Sequence, residues 1–321
     1  MSDINDFVIE DGVLIKYKGD GSDVVIPDSV TSIGGYAFCG CKGLTSVEIP
    51  KSVTSIGERA FRNCSGLTSI EIPSSVTSIG EVAFSCCTGL TSVKIPDGIT
   101  SIGGYAFFGC TGLTSIEIPN SVTSIGDSAF FDCKGLTSIE IPKSVTSIGI
   151  SAFGWCTSLT SIEISSSVSS IGERAFYGCT GFKEFSISQD NEFFASVNGA
   201  IYSKDRKYLV HYVALNNATH FSIPDGVTSI GNGAFFECAG LTSIEIPNTV
   251  TSIGKDAFFG CAGLTSIEIP SSVTSIGDFA FQDCTNLTSV EIPDSVIEIG
   301  EDIFDGCYQL ICRKLRQDKR N

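Results

Sequence analysis

The stretch that decides the fold runs from Cys64 to Cys86 and reads CSGLTSIEIPSSVTSIGEVAFSC. The same pattern returns at a spacing of 23 residues, and eleven copies of its V-T-S-I-G…A-F part lie between Val30 and Phe304. The repeating cysteine occupies Cys41, Cys64, Cys87, Cys110, Cys133, Cys156 and Cys179, and then Cys238, Cys261, Cys284 and Cys307. A unit of this length cannot bury its own apolar side chains, so the units are predicted to stack into a solenoid.

Each column of the unit predicts a local structure. Leu67, Ile70 and Ile72 have the spacing of a short strand whose alternate side chains point inward. Pro73 follows, and all ten prolines of the chain occupy this column. Because proline lacks an N–H group, it marks the end of the strand.

Two further columns shape the interior. A glycine equivalent to Gly80 is present in every copy, which predicts a turn that needs a positive φ. The phenylalanines equivalent to Phe84 are predicted to form a continuous aromatic ladder through the core. Removal of one such ring is expected to cost about 3–5 kcal/mol of stability.

The composition excludes several classes of protein. With 36 acidic and 20 basic residues the formal charge is −16, which repels phosphate backbones, so no nucleic acid partner is expected. An apolar fraction of 42% excludes an acidic disordered chain. No apolar run reaches the ~18 residues of a membrane span, and Met1 to Asp6 lack the features of a signal peptide. We therefore expect a soluble monomer without membrane insertion.

The unit resembles the BspA-like, or Treponema-type, leucine-rich repeat, which reads C-x-x-L-x-x-I-x-I-P-x-x-V-x-x-I-G-x-x-A-F. The likeness extends from Asp23 to Cys307. It implies a leucine-rich repeat solenoid: a β-rich, right-handed curved coil of about eleven 23-residue repeats with short parallel strands. It also implies a non-enzymatic surface adhesin that binds a host matrix, host cell or microbial surface protein.

Two segments interrupt the array and are similar to each other. They align at Phe7 with Phe194, at Gly12 with Gly199, and at the Asp or Asn before each glycine, so both are predicted to be β-hairpins. The predicted layout is a hairpin cap at 1–29, a first array at 30–181, an irregular island at 182–224, a second array at 225–312 and a basic tail at 313–321. We expect one continuous solenoid, with the island as a bulge.

The cysteine column could indicate disulfides, a metal site or buried thiols. Equivalent positions in stacked coils lie about 4.8 Å apart, but parallel side-chain vectors disfavour disulfide geometry. A linear column does not converge on a tetrahedral zinc ion. We therefore predict small buried thiols, with no metal and no cofactor.

The column between the two inward isoleucines is acidic and, by strand alternation, lies on the outer, concave face of the sheet. Its charged members are Glu48, Glu71, Lys94, Glu117, Glu140, Glu163, Glu245, Glu268 and Glu291. Glutamates about 5 Å apart repel one another, so the column opposes stability. It is either a device for solubility that prevents sheet stacking, or a surface that binds a basic partner or divalent cations.

The residue after each ladder phenylalanine varies, and several copies carry further aromatic side chains here or one position later. This aromatic ridge consists of Phe108, Phe131, Trp155, Tyr177, Phe236 and Phe259. Since the preceding column already fills the core, the ridge is expected to be partly exposed and is the second candidate for a protein contact. The alternative is that its side chains only pack against the turns between copies.

Catalysis finds little support in the sequence. The chain has two histidines, His211 and His220, and no known catalytic motif surrounds either one. His211 is predicted to be an exposed strand residue, and an enzyme that uses it with Asp205 is a remote alternative. The lack of a leader favours a second hypothesis, an intracellular scaffold or decoy built from the same repeats, so the location is either the cell surface or the cytoplasm.

Overall fold

The computed structural model describes residues 3–310 and 312–313, so the tail from residue 314 onward lies outside the described residues. The chain divides into two compact units, unit 1 up to Glu192 and unit 2 from Phe193. Each unit is a stack of coils made of short strands and turns. In the described residues the helical elements are two 3-10 turns, Ile4–Asp6 and Leu215–Asn217.

Unit 1 contains sixteen strands. They are β1 (Phe7–Glu10), β2 (Val13–Tyr17), β3 (Asp23–Val25), β4 (Ser32–Ile33), β5 (Ser46–Glu48), β6 (Ser55–Ile56), β7 (Ser69–Glu71), β8 (Ser78–Ile79), β9 (Ser92–Lys94), β10 (Ser101–Ile102), β11 (Ser115–Glu117), β12 (Ser124–Ile125), β13 (Ser147–Ile148), β14 (Ser161–Ile164), β15 (Ser170–Ile171) and β16 (Glu184–Ile187). Most coils therefore contribute one strand to each of two faces; the coil around Glu140 has a single bridge, from Ser138 to Ser161, in place of one of them.

The described part of unit 2 contains twelve strands. They are β17 (Phe194–Val197), β18 (Ala200–Ser203), β19 (Tyr208–Tyr212), β20 (His220–Ser222), β21 (Ser229–Ile230), β22 (Ser243–Glu245), β23 (Ser252–Ile253), β24 (Ser266–Glu268), β25 (Ser275–Ile276), β26 (Ser289–Glu291), β27 (Glu298–Ile299) and β28 (Cys312–Arg313). We call the face with the S-I-E strands the front face and the face with the S-I strands the back face.

Within each sheet the strands of successive coils pair in parallel with a register of 23 residues, and on the face that carries the S-I-E strands this pairing is interrupted between β11 and β14 and between β22 and β24. On the front face Ser46 lies opposite Ser69 and Glu48 opposite Glu71, and on the back face Ser32 lies opposite Ser55. A constant register stacks each residue on its own equivalent in the next coil. The predicted solenoid of parallel strands is therefore confirmed.

The interior of each coil is filled by the columns that the sequence predicted to be apolar. The ladder phenylalanines are fully buried, and neighbouring rings stack with centroids 5.0–5.6 Å apart, as in the pairs from Phe38 to Phe176. A tyrosine heads each ladder: Tyr17 lies 5.3 Å from Phe38, and Tyr212 lies 5.2 Å from Phe235. The ladder supplies each unit with a continuous aromatic core.

The reason why glycine fills the column of Gly80 is not the predicted one. The expectation of a positive φ at Gly80 was wrong. Gly80 is absent from the residues with positive φ. A Cβ atom at this position would lie 2.5 Å from the backbone nitrogen of Glu58 in the preceding coil, and one at Gly126 would lie 2.7 Å from that of Gly104. Glycine is required here because the backbones of successive coils approach too closely for any side chain.

Hydroxyl side chains extend the backbone hydrogen bonds between coils. The Thr68 hydroxyl donates to the Thr45 carbonyl at 3.2 Å, and the Ser75 hydroxyl donates to the Val53 carbonyl at 2.7 Å. Equivalent bonds recur in most coils of both units. These bonds give a physical reason for threonine and serine columns that the sequence alone left without one.

Candidate functional site

The main candidate surface is the acidic column of the front face. We call it the glutamate stripe, and it consists of Glu48, Glu71, Lys94, Glu117, Glu140 and Glu163 in unit 1 and of Glu245, Glu268 and Glu291 in unit 2. Every member is exposed, whereas the isoleucine or valine before each one is buried. The structure thus places the carboxylates outward, with one stripe residue on each coil.

The stripe contains one cation. Lys94 lies in register between Glu71 and Glu117, and its Nζ atom is 3.8 Å from Oε2 of Glu117. An exposed ion pair of this kind contributes only about 0–1 kcal/mol. Lys94 therefore interrupts the negative charge of the stripe more than it stabilises the fold.

The first front-face strand of each unit carries a different polar residue in the serine column, next to the glutamate stripe. In unit 1, Asp23 occupies the serine column, and hydrogen bonds donated by Ser46, Ser22 and Thr45 lower the pKa of its carboxyl group. In unit 2, His220 occupies the same column, and its Nδ1 atom lies 2.6 Å from the hydroxyl oxygen of Ser243. Asp23 extends the acidic surface, whereas His220 does not.

The last coil of unit 1 exchanges the two outward columns. Glu184 lies opposite Ser161, and Ser186 lies opposite Glu163, so the carboxylate moves to the serine column. A groove of about 690 Å³ opens here. Its acidic lining residues are Glu140, Glu163, Glu184 and Asp190, and Lys143 is its basic one.

The aromatic ridge is half-buried and forms stacks of its own. Phe108 and Phe131 stack at 5.0 Å in unit 1, and Phe236 and Phe259 stack at 4.8 Å in unit 2. Within the ridge Trp155 is the most exposed, at 38%. Much of each phenylalanine therefore contributes to packing between coils.

Two glycines shape the ridge in unit 1. Because Gly154 has no side chain, Phe131 and Tyr177 approach across it to a centroid distance of 5.8 Å. Trp155 lies over Gly178, where a Cβ atom would be 3.0 Å from the indole ring. These gaps bring Phe131, Trp155 and Tyr177 into one cluster.

Sequence reasoning missed a second set of exposed aromatic side chains. Tyr36 and Tyr105 are 52% and 46% exposed, and Tyr105 lies 5.7 Å from Phe108. Both have a positive φ, as have Arg59 and Val82 at the equivalent position of other coils. No residue type marks this position, because hydrogen bonds to the next coil hold the turn regardless of the side chain.

The repeating cysteines carry thiol side chains that, apart from those of Cys41 and Cys238, are buried. Beyond the first coil of each unit, each of these thiols donates a hydrogen bond to the carbonyl of a ladder phenylalanine, as Cys64 does to Phe38 at 3.1 Å. Burial raises the pKa of Cys110 and Cys133 well above the usual value for a thiol. Beyond the first coil of each unit, the column therefore consists of small buried thiols, as predicted.

The predicted exposure of His211 was wrong. His211 lies in β19 opposite Ile201 and is 1% exposed, because the strand carries it into the sheet of the island. Asp205 is exposed, and its carboxylate accepts hydrogen bonds from the Ser203 hydroxyl and the Lys207 amide. Asp205 thus closes the turn between β18 and β19.

No group of three or more His, Cys, Asp or Glu side chains in residues 3–310 is arranged to hold a metal ion. None of the helices in this part of the chain is long and apolar enough to cross a bilayer.

A family model accounts for most of the chain. The model describes a BspA type leucine rich repeat region in six copies, and it matches residues 16–136, 82–198 and 211–318. A search of the curated proteins found no match.

Solved structures of bacterial repeat proteins share the fold. A leucine rich cell surface protein from Faecalibacterium prausnitzii is 29% identical with a TM-score of 0.66, and the match covers 97% of this chain and 90% of that one. A leucine-rich repeat protein from Eubacterium ventriosum is 26% identical with a TM-score of 0.55, over 93% of this chain and 70% of that one. The pneumococcal vaccine antigen PcpA, at 24% identity and a TM-score of 0.52 over 90% of this chain and 60% of that one, shows likeness of fold alone.

Proposed function

Since the chain belongs to the BspA-type leucine-rich repeat family, we propose that it is a non-enzymatic surface adhesin that binds a basic protein through its glutamate stripe. The observation that carries this proposal is the register of the front face, which holds exposed carboxylates on successive coils. A row of like charges opposes folding, so its presence on one face favours a role in binding over a role in stability. The name of the Faecalibacterium protein supports the surface location.

The groove at the last coils of unit 1 favours this part of the stripe as the centre of the contact. Glu140, Glu163 and Glu184 surround a concave region in which a lysine or arginine side chain would meet several carboxylates. Charge complementarity of this kind raises the rate of association and selects basic partners.

The proposal is tested with a lysine-rich peptide as the probe. The variant Glu117→Gln/Glu140→Gln/Glu163→Gln is expected to raise the Kd by about tenfold, at roughly 0.2–1 kcal/mol for each lost exposed pair. Its matched control is Asp28→Asn/Glu81→Gln/Asp97→Asn, which removes as many exposed charges outside the stripe. Equal losses in the two variants would mean that only net charge matters and would contradict the proposal.

Lys94 offers a gain-of-binding test. The substitution Lys94→Glu completes the acidic row between Glu71 and Glu117 and is expected to tighten binding of the same peptide. The effect should vanish near 1 M salt, where the Debye length is about 3 Å. No change, or weaker binding, would argue that the partner does not follow the stripe.

The aromatic cluster around Trp155 is the second candidate surface, favoured by the exposure of Trp155 and Tyr105. Trp155→Ala is expected to weaken binding of the peptide without a lower Tm, because Trp155 is the most exposed ring of the ridge. Because Phe131 stacks on Phe108, Phe131→Ala is the control for packing. If Trp155→Ala lowered both the Tm and the affinity for the peptide, the role of this ring would be structural and the second candidate surface would be rejected.

The surface location has its own test, which also separates it from the alternative of an intracellular scaffold or decoy. A protease added to intact cells of the producing organism is expected to digest the protein. A pool that stays intact and fractionates with the cytosol would overturn the adhesin and favour the scaffold.

A further inference from the structure

The back face of unit 1 is divided between two successive coils. Its described strands form one sheet that ends in β8 and a second sheet that begins with β10. One coil later the strands are joined in the usual way: the Thr123 amide donates to the Thr100 carbonyl at 2.8 Å. The Gly126 amide likewise donates to the Ile102 carbonyl at 2.8 Å. Across the division, the described residues show no equivalent bond from the amide of Thr100 or of Gly103.

The two coils lie farther apart along this face. A Cβ atom at Gly103 would be 3.4 Å from the preceding coil, at the Cα atom of Glu81, whereas a Cβ atom at Gly80 would be only 2.5 Å from the coil before it. Ile79, the inward residue of β8, is half-buried, although its equivalent Ile125 is 1% exposed. A narrow apolar crevice thus opens between the coils and leaves the inward side of β8 partly uncovered.

Two residues at the division depart from the repeat unit. Gly98 takes a column that is serine or threonine in the other copies, apart from Gly226. It lacks the hydroxyl group with which Ser121, one coil later, donates a hydrogen bond to the Ile99 carbonyl at 2.6 Å. Ile99 stands where every other copy has valine, and its side chain lines the crevice. In unit 2, where Gly226 is followed by Val227, β21 is paired with β19, so the larger side chain of Ile99 distinguishes the divided case from the paired one.

The same two coils stay joined along their other sides. On the front face β7 and β9 pair in parallel, and in the turns the Phe84 amide donates to the Ala106 carbonyl at 2.8 Å. The rings of Phe84 and Phe107 stack with centroids 5.4 Å apart. Lys94 of β9 lies opposite Glu71 of β7, so opposite charges face each other across the front pair. Within this described pair of coils, the parting is therefore confined to the back face.

We propose that Gly98 and Ile99 make this division a conformational joint, at which the coils up to β8 and the coils from β10 pivot about the β7–β9 pair. Opening of the back face between two ordinary coils would break a row of backbone hydrogen bonds, whereas at the joint no such bond has to break. The pivot alters the curvature of the front face, and with it the spacing of the carboxylates on the two sides of Lys94. The joint is a property of the solenoid itself and does not depend on what the glutamate stripe binds.

Amide hydrogen exchange in the native full chain tests whether the back face is parted. The Thr100 and Gly103 amides are expected to exchange at least about tenfold faster than those of Thr123 and Gly126, which are bonded to the coil before. The Thr91 amide, which is bonded on the front side of the same coil, should stay protected because the front pair does not open. Equal protection at the four back-face amides would overturn the proposal. So would loss of protection at Thr91, which would indicate unfolding of the whole coil.

Restoration of the repeat unit makes the result specific to the two residues. Gly98→Ser/Ile99→Val is expected to raise the protection of the back-face amides of the joint about tenfold. The matched variant Ser121→Gly/Val122→Ile, which moves the same two residues one coil along, should lower the protection of the next pair of back-face amides by a similar factor. A restored unit whose back-face amides still exchange fast would overturn the role of Gly98 and Ile99.

Motion at the joint is measured by the distribution of distances between two nitroxide labels on the back face. The labels are attached through ketone-bearing amino acids, which leave the native thiols unmodified. A pair at Ser55 and Ser124 spans the joint, and a pair at Ser101 and Ser170 spans as many coils without it. The first pair should give a broad distribution that narrows to the width of the second when the repeat unit is restored. Equal widths in the unaltered chain would overturn the pivot, and neither result bears on binding by the glutamate stripe.

Discussion

The two units begin with similar hairpins that join their solenoids in different ways. In unit 1 the second hairpin strand, β2, pairs in parallel with β4 and also supplies Tyr17 to the head of the ladder. In unit 2 the equivalent strand, β18, pairs antiparallel with β19, and β19 is the strand that joins β21 and supplies Tyr212. Unit 2 thus inserts one strand more than unit 1.

The N-terminal hairpins of the two units share features that the first coil of such a solenoid needs. In both, a strand adds to the back face, and a tyrosine packs on the first phenylalanine of the ladder. Both hairpins turn through Asp11-Gly12 or Asn198-Gly199, with positive φ at each residue. The hairpin supplies the strand and the ring, and the number of strands between them is free to vary.

The largest expected effect tests the role of the two tyrosines. Tyr17→Ala and Tyr212→Ala should each cost about 3–5 kcal/mol, the usual loss for an aromatic core side chain. Trp155 is the only tryptophan and lies in unit 1, so its fluorescence during urea unfolding reports on Tyr17→Ala. Exchange of the Phe235 amide reports on Tyr212→Ala.

Tyr308, which is 87% exposed, provides the control for these variants. Tyr308→Ala should change stability by less than about 0.5 kcal/mol. If Tyr17→Ala or Tyr212→Ala behaved like this control, the ladder would not need an aromatic head.

A smaller effect separates the two turns. Gly12 and Gly199 both have φ near +78°, but an added Cβ would lie 2.7 Å from the Thr31 side-chain hydroxyl at Gly12 and 2.5 Å from the Val213 backbone carbonyl at Gly199. Alanine at either position is expected to cost about 1–3 kcal/mol through its backbone conformation, with the larger loss at Gly199, where the backbone cannot give way.

Gly43 and Gly240 are matched controls for the two units, because neither has a positive φ or a neighbour within 4 Å of an added Cβ. Their alanine variants should be neutral or slightly stabilising. An equal loss at Gly12 and Gly199 would mean that φ alone, without the clash at Val213, sets the cost.

The sequence predicted the features that depend on residue type and spacing. The inward isoleucines, the phenylalanine ladder and the hairpin turns each follow from apolar periodicity or from a turn dipeptide. The outward direction of Glu71 followed from strand alternation. The role of the glutamate stripe in binding stays a prediction, since no ligand chemistry is encoded in a uniform column.

Other features depend on contacts between coils and left no local signal. Gly80 is needed because Glu58 of the preceding coil lies too close, and nothing within one repeat reveals that distance. Val82 adopts a positive φ because its amide is held by the Gly104 carbonyl of the next coil at 2.9 Å. The burial of His211 likewise arises from β19, the strand that unit 1 does without.

The smallest expected effect gives opposite signs at the two ladder heads. The Tyr17 hydroxyl accepts a hydrogen bond from the Gly21 amide at 3.1 Å, whereas the Tyr212 hydroxyl is buried without a hydrogen-bond partner in the described residues. Tyr17→Phe should therefore cost about 0.5–1.5 kcal/mol, and Tyr212→Phe should be neutral or stabilising, because it removes a buried polar group that pays desolvation without a bond. Urea unfolding followed by Trp155 fluorescence measures the first variant and Phe235 amide exchange the second. A loss at Tyr212→Phe as large as that at Tyr17→Phe would show that the Tyr212 hydroxyl is satisfied in solution, and the two starts would then be equivalent in energy as well as in shape.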